Sequence, residues 1–247
     1  MNKTNNKSIT YIIIALILGV SFTVSSYFIS NGLINLRSEQ KIIRVTGSAK
    51  KQIRSDLVKW TGTYSVQAKD LKEAYKQLQN SQKIVKNYFL SKGISEKDLI
   101  FSSISTITIY EMLPNGVTST KIDSYRLVQN VQITSKDVDK ITDLSRKSTE
   151  LINLGVQFES MPPQYYYTKL ADLKIEMLSL ATKDAVKRAQ QIAESTGIKV
   201  ERLRSASMGV FQITPPYSTE VSDYGINDTS SVDKEITAIV NCEFSIK

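Results

Sequence analysis

Glu220, Asp223, Asp228 and Asp233 fall close together late in the chain, with Asn227 among them. Carboxylate and amide oxygens of this kind could serve as Ca²⁺ ligands, but their spacing does not match the alternating oxygens, fixed glycine and late Glu of an EF-hand loop. Asp56, Glu111, Asp123 and Glu159 stand near strand ends, where solvated charges account for them as well as chemistry does. Two such acids about 5–9.5 Å apart across a cleft would suit glycoside hydrolysis. A Ser–Lys dyad is open on composition, yet Ser145-Arg146-Lys147 lacks the S-x-x-K spacing and Ser135-Lys136-Asp137 reads as a helix start. Tyr165-Tyr166-Tyr167 follows Pro162-Pro163, so an extended piece with alternating rings could form an aromatic platform for glycan or peptide. The favoured reading is an amphipathic edge with one ring inward and the others facing water.

The sequence has no His, which removes imidazole as base or metal ligand and excludes the usual serine-hydrolase triad. Its single cysteine, Cys242, leaves no intrachain disulfide, and its place in an apolar alternation reads as a small buried hydrophobe. Gly47-Ser48-Ala49-Lys50-Lys51 lacks the second glycine and the Ser or Thr of a P-loop. The net charge of +8 is spread singly along the chain without runs or aromatic–basic interleaving, so no nucleic-acid partner is expected.

The elements that would position these residues begin with Ile9 to Ile29, 21 residues without a charge. That is about the ~20 residues a helix needs to cross a bilayer core. Lys3 and Lys7 precede it and the next charge is Arg37, which favours a cytoplasmic N-terminus and an exported remainder. A cleaved signal peptide is the alternative, with small residues at Val24-Ser25-Ser26. The apolar run outlasts a usual signal core of about 7–15 residues, so an uncleaved anchor is expected. The organisation read here is a cytoplasmic tail (1–8), a transmembrane helix (9–29), a linker (30–41) and one extracytoplasmic domain (42–247).

Within that domain, period 2 and period 3.6 alternate. Ile43, Val45 and Gly47 suggest a first strand and residues 57–68 a second. Asp70 caps a helix, with Glu73 reaching back, whose inner face is Leu71, Ala74, Tyr75, Leu78, Val85, Tyr88 and Phe89, and Gly93 ends it. Residues 100–111 and 124–134 form a hairpin around Pro114-Asn115-Gly116. Ser135 caps a second helix with Val138, Ile141, Leu144, Ser145, Ser148 and Ile152 inward, and Gly155 follows. A short strand, 156–161, leads to Pro162-Pro163. A third helix, about 168–196, turns Leu173, Met177, Ala181, Ala185, Ala189 and Ile192 inward, and its four-residue alanine spacing permits close approach to a sheet. Strands at 200–214 and 235–246 flank a polar segment, 215–232. The order predicts an α+β fold, helices packed on a mixed, largely antiparallel sheet, with one N-terminal transmembrane helix.

Three stretches carry a resemblance: IIRVTGSAK in the first strand, the run from Lys69 to Tyr110, and the long helix from Leu170 to Gly197. With the turn Gly93-Ile94-Ser95 and Asp98, and the A-x-x-x-A-x-x-x-A helix, the chain resembles the SIMPL-domain family from about Ile42 to Lys247. The resemblance implies an exported or envelope-associated α+β protein, ring-like or channel-like homo-oligomers in some members, and loose ties to stress tolerance. It implies no catalytic residues. Many members carry a glycine pair in the first strand, where Ser48 follows Gly47 here, and many have a cleaved signal peptide.

An 18-residue connection at 215–232 is long for a compact domain. Pro215-Pro216 should stiffen it, Tyr217 and Tyr224 should pack, and Asp223, Asn227 and Ser230 should form side-chain turns. The expected contact surface is Tyr165, Tyr167, Pro215, Pro216, Tyr217, Asp223, Tyr224, Asn227 and Asp228. No catalytic residue, metal or cofactor is assigned. The function read from sequence is a membrane-anchored extracytoplasmic module, non-catalytic, with a binding, oligomeric-assembly or envelope-stress role. A hydrolase using carboxylates or a Ser–Lys dyad is the alternative, and a cell-wall glycan or peptide binder a further one. The expected partners are the membrane through Ile9 to Ile29, further copies of the chain, and envelope proteins or the cell wall.

Overall fold

The computed structural model describes residues 3–37, 42–114 and 116–247, and side chains from residue 13 to 30 and from 42 onward apart from 115. Asn115 of the expected hairpin turn and residues 38–41 of the expected linker lie outside the described residues. Helices are α1 (Lys3–Arg37), α2 (Leu71–Ser91), α3 (Val138–Lys147) and α4 (Leu170–Ser195). Strands are β1 (Ile42–Arg54), β2 (Leu57–Ala68), β3 (Leu99–Phe101), β4 (Ser105–Met112), β5 (Thr118–Ser135), β6 (Gln157–Ser160), β7 (Gln164–Tyr166), β8 (Val200–Met208), β9 (Gln212–Thr214), β10 (Ile226–Asn227) and β11 (Asp233–Ile246). The fold is α+β, as its element order predicts, with the strands divided between two sheets.

The chain divides into two compact units. The larger comprises residues 46–187 and 207–241. In it, β2 lies between β5 on one side and β6 and β7 on the other, all antiparallel, while β3 and β4 pair with the far edge of β5. The core beneath this sheet is built around Trp60, Phe89 and Phe158, with Trp60 and Phe89 packed edge to face at 5.5 Å. Burying an indole leaves its N–H to be satisfied. Trp60 Nε1 donates to Ser160 Oγ at 3.1 Å, and that hydroxyl donates to the Ser145 carbonyl at 2.7 Å.

Local chemistry explains the helices. Asp70 accepts from the Glu73 amide at 3.0 Å, and Gly93 closes α2 at φ 76°, with the Ile94 amide bonded to the Phe89 carbonyl. Glu73 does not reach back, because its carboxylate accepts from Gln77. Leu71 and Tyr75 are exposed rather than inward, facing a shallow groove toward Ile104 and Leu127. Asp137, not Ser135, caps α3, and the Ser135 hydroxyl accepts from the Asp137 amide. After Lys147 the helix tightens to a 3₁₀ turn over Ser148–Leu154, and the register change puts Leu151 in the core and Ile152 outside.

The second sheet has the order β1-β11-β9-β10, with β8 also on β11. Contacts between Arg44 and Glu243, Thr46 and Asn241, and Lys50 and Glu235 run in opposite senses, so β1 and β11 are antiparallel. β10 is parallel to β9, which makes this sheet mixed. Within the larger unit α4 approaches β1 very closely: a Cβ placed on Gly47 would lie 2.1 Å from the Ala181 carbonyl oxygen. The alanine stripe ends on buried Ala193, and Ile192 is exposed, since four-residue steps from Ala181 lead to 193.

The smaller unit comprises residues 1–45, 188–206 and 242–247. In it Lys199 and Lys247 exchange main-chain hydrogen bonds at 3.0 Å, fixing the start of β8 on the end of β11, and Cys242 is buried. The stretch Ile13–Ser30 of α1 has a mean hydropathy of 2.0 and is long and apolar enough to cross a membrane. Two of its hydroxyls are satisfied within the helix: Ser21 donates to the Leu18 carbonyl at 2.9 Å and Thr23 to the Val20 carbonyl at 2.8 Å.

Candidate functional site

The segment 215–232 is ordered by its own polar groups. It leaves β9 and returns as β10, which runs parallel to β9 with Ile226 opposite Gln212. Pro215 begins a turn closed by the Ser218 amide on its carbonyl at 3.2 Å, with Tyr217 at φ 65°. Gly225, at φ 82°, reverses the chain at the far end, where a Cβ would lie 2.8 Å from the Phe211 carbonyl oxygen. Gln212 Nε2 holds the loop from beneath by donating to the Ser222 carbonyl at 2.7 Å.

Asp228 organises the return. Its carboxylate accepts from the Ser230 amide at 2.8 Å, the Ser230 hydroxyl at 2.7 Å and the Ser231 amide at 3.2 Å. Lys234 Nζ adds a bond to the carboxylate at 3.2 Å and one to the Asp228 carbonyl at 2.6 Å. Burial would push the carboxyl up, but these donors outweigh it and hold it well below the usual carboxylate range. Burial lowers the Lys234 ammonium from its ordinary value, and Asp228 offsets part of that. The Tyr165 amide donates to the Thr229 carbonyl and the Ser55 amide to the Val232 carbonyl, both at 2.8 Å. The segment is thus tied to β7 and to the turn between β1 and β2.

The predicted contact residues separate into four groups. Tyr165 is in the core, its hydroxyl 3.0 Å from Thr142 Oγ1, which is the edge arrangement with one ring inward and removes Tyr165 from the contact surface. Tyr167, Pro215 and Pro216 are half-buried. Tyr217 and Tyr224 do not pack as expected: they are 87% and 97% exposed. Asp223 and Asn227 are exposed, and the side-chain turns are made by Ser218, Ser222 and Asp228 rather than by Asp223 and Asn227. Asp228 is an internal brace.

Tyr224 and Asn227 line an open cleft of about 440 Å³ with Leu170, Lys174, Met208 and Phe211. Lys174 Nζ lies 5.6 Å above the Phe211 ring, a cation–π contact at the cleft wall. The cleft can hold an apolar or aromatic group, with Lys174 to meet a negative charge.

Three of the other acids have partners of their own. Asp56 accepts from the Thr168 amide and hydroxyl at the start of α4, Glu111 pairs with Lys121 at 2.7 Å, and Asp233 pairs with Arg54 at 3.3 Å. Among the described residues no three acids or cysteines gather as a metal site.

Sequence reasoning missed Lys234. A signal was present: Lys234, Ile236, Ala238, Val240, Cys242 and Phe244 share one parity of β11, and all are buried.

The family described as "SIMPL: Protein of unknown function (DUF541)" matches residues 43–244. The chain belongs to the SIMPL family. It is also similar to "Uncharacterized protein YggE" of Edwardsiella ictaluri (strain 93-146), 24% identical over 185 residues that cover 71% of each chain. In this SIMPL chain Ser48 needs no second glycine, because alternation along β1 turns it away from the buried face of Gly47 and leaves it exposed, and its amide donates to Asp184 Oδ2 at 2.8 Å.

Proposed function

We propose that this SIMPL-family chain is a membrane-anchored extracytoplasmic module that acts by protein contact and self-assembly. The observation that carries this reading is an ordered domain with large apolar side chains left bare on projecting elements. Beyond the end of β2, β4 and β5 continue as a two-stranded ribbon that, among the described residues, pairs only with itself. Tyr110, Met112, Leu113, Val117 and Ile122 are exposed on it. Two strands alone are marginally stable in water, and an apolar group of this kind marks a contact surface. The apolar stretch of α1 supports an anchor at residues 9–29, with residues 1–8 cytoplasmic and 42–247 exported, in keeping with the envelope association that the resemblance implies. A homo-oligomer formed by such a chain would assemble on a membrane surface.

The test is the mass of the full-length protein in detergent by light scattering, with an exported-enzyme reporter fused after Lys247 to read topology. A mass above the monomer and an active reporter are expected. A strict monomer at every concentration would overturn the assembly reading, and an inactive reporter the export. A second reading, a cell-wall glycan or peptide binder, is supported by Tyr224 at the mouth of the cleft over Phe211. Tyr224→Ala should then lose binding to purified wall material, and unchanged binding would remove it.

A further inference from the structure

β8 is a free edge. It is hydrogen-bonded on one side, to β11, and every residue from Glu201 to Met208 is exposed, so neither face of the strand is covered. Arg202 and Arg204 share one face of it by alternation, and Lys199 stands exposed before it. Neither arginine makes an ion pair among the described residues, and Leu203 and Met208 are bare apolar neighbours. An edge strand with unpaired amides and carbonyls is a template for another chain.

The loop between Tyr217 and Tyr224 has the complementary character. Glu220 and Asp223 are exposed and make no ion pair among the described residues, while Tyr217, Val221 and Tyr224 are 87%, 76% and 97% exposed. Its backbone is held by Gln212 and by turns on Ser218 and Ser222, so it offers these side chains at little ordering cost.

We infer that the acidic, aromatic loop 217–224 of one copy docks on the basic edge strand β8 of a second copy. This rests on the assembly reading above and names its surfaces. Two arginines on one face repel their own equivalents, so charge disfavours a two-fold contact of β8 with β8. It favours a contact between unlike surfaces, which passes from copy to copy and gives a ring where the rotation closes.

The test is a charge exchange in the full-length protein in detergent. Arg202→Glu with Arg204→Glu, and separately Glu220→Lys with Asp223→Lys, should each weaken self-association at least about tenfold. All four positions are exposed, so unchanged thermal midpoints verify the fold. Mixing the two variants should restore association, because each loop then meets an oppositely charged strand. Wild-type mass retained by both variants, or a mixture that stays dissociated, overturns the inference and leaves the assembly reading standing. A monomeric wild type overturns both. Loss of binding to anionic vesicles by the strand variant, without any change in mass, would assign β8 to lipid and overturn it as well.

Discussion

The Lys234 ammonium donates to the main-chain carbonyl of Asp228 at 2.6 Å and to its carboxylate at 3.2 Å, with 2% of the lysine side chain and 9% of the aspartate side chain exposed. One residue thereby neutralises the buried charge of β11 and, through Ser230 and Ser231, sets the path of the chain into that strand.

Breaking a buried pair from one side is costly because the other charge stays behind, typically about 3–5 kcal/mol. Asp228→Ala is expected to lose roughly that much, since it strands Lys234 on a single carbonyl and removes the bonds to Ser230 and Ser231. Lys234→Met should lose less, because Asp228 keeps its serine donors and the thioether fills the space. Urea denaturation followed by the fluorescence of Trp60, the only tryptophan, measures both. Equal losses would contradict this division of roles.

The same pair gives stability a pH dependence. Asp228 titrates below its unfolded value, so its contribution is complete above about pH 4 and is lost as pH falls toward the folded pKa. Lys234 is lowered, so the unfolded chain holds more protons just below the ordinary lysine value, and this group makes stability rise with pH in that alkaline window. The stability difference between wild type and Asp228→Asn should be constant from about pH 5 to 8 and shrink below about pH 4. A difference that grows on acidification would reverse the sign argued here.

Gly47 and Gly62 both lie where a side chain would collide, but with different neighbours. A Cβ on Gly47 meets the main chain of α4, 2.1 Å from the Ala181 oxygen and 2.5 Å from the Ala185 nitrogen. A Cβ on Gly62 meets the Phe158 ring, 2.2 Å from Cζ. A ring edge can shift more readily than a packed helix, so Gly47→Ala should cost more than Gly62→Ala, at or above the upper end of the usual ~1–3 kcal/mol for overpacking. Thermal midpoints of the two variants rank them, and the opposite order would argue that α4 yields.

Much of this fold is legible because local chemistry and tertiary packing agree. Asp70 caps α2, and Gly93, Gly155 and Gly197 all adopt the left-handed conformation expected after their helices. The alanine spacing of α4 reads as close approach, and Gly47 is the residue it approaches. The failures arise where periodicity depends on something beyond the sequence window. Ile152 follows a 3.6-residue phase that the chain abandons for a 3₁₀ turn. Tyr217 and Tyr224 have the size of core residues, and only the tertiary structure reveals that the loop is held by serines, Asp228 and Gln212 instead. The segment 215–232 itself was recognisable from its length. Its division into a buried brace at Asp228 and a bare tip at Tyr217–Tyr224 depends on the parity of β11, because that parity brings Lys234 to Asp228.

The same distinction governs any experiment on the tyrosines. Tyr165 packs in the core and its hydroxyl is 3.0 Å from Thr142 Oγ1, whereas Tyr167 is only half-buried. Tyr165→Phe should cost about 0.5–1.5 kcal/mol, the net worth of one hydrogen bond. Tyr165→Ala should cost several times more, on the order of the ~3–5 kcal/mol found for large aromatic truncations. Tyr167→Ala should cost less than Tyr165→Ala by more than about 1 kcal/mol, since partial exposure leaves a smaller cavity. Loss of ligand binding in Tyr165→Ala would then report unfolding, so a direct contact has to be read from Tyr167 or Tyr224 variants with intact Trp60 fluorescence. A fully folded Tyr165→Ala protein that loses binding would return Tyr165 to the contact surface.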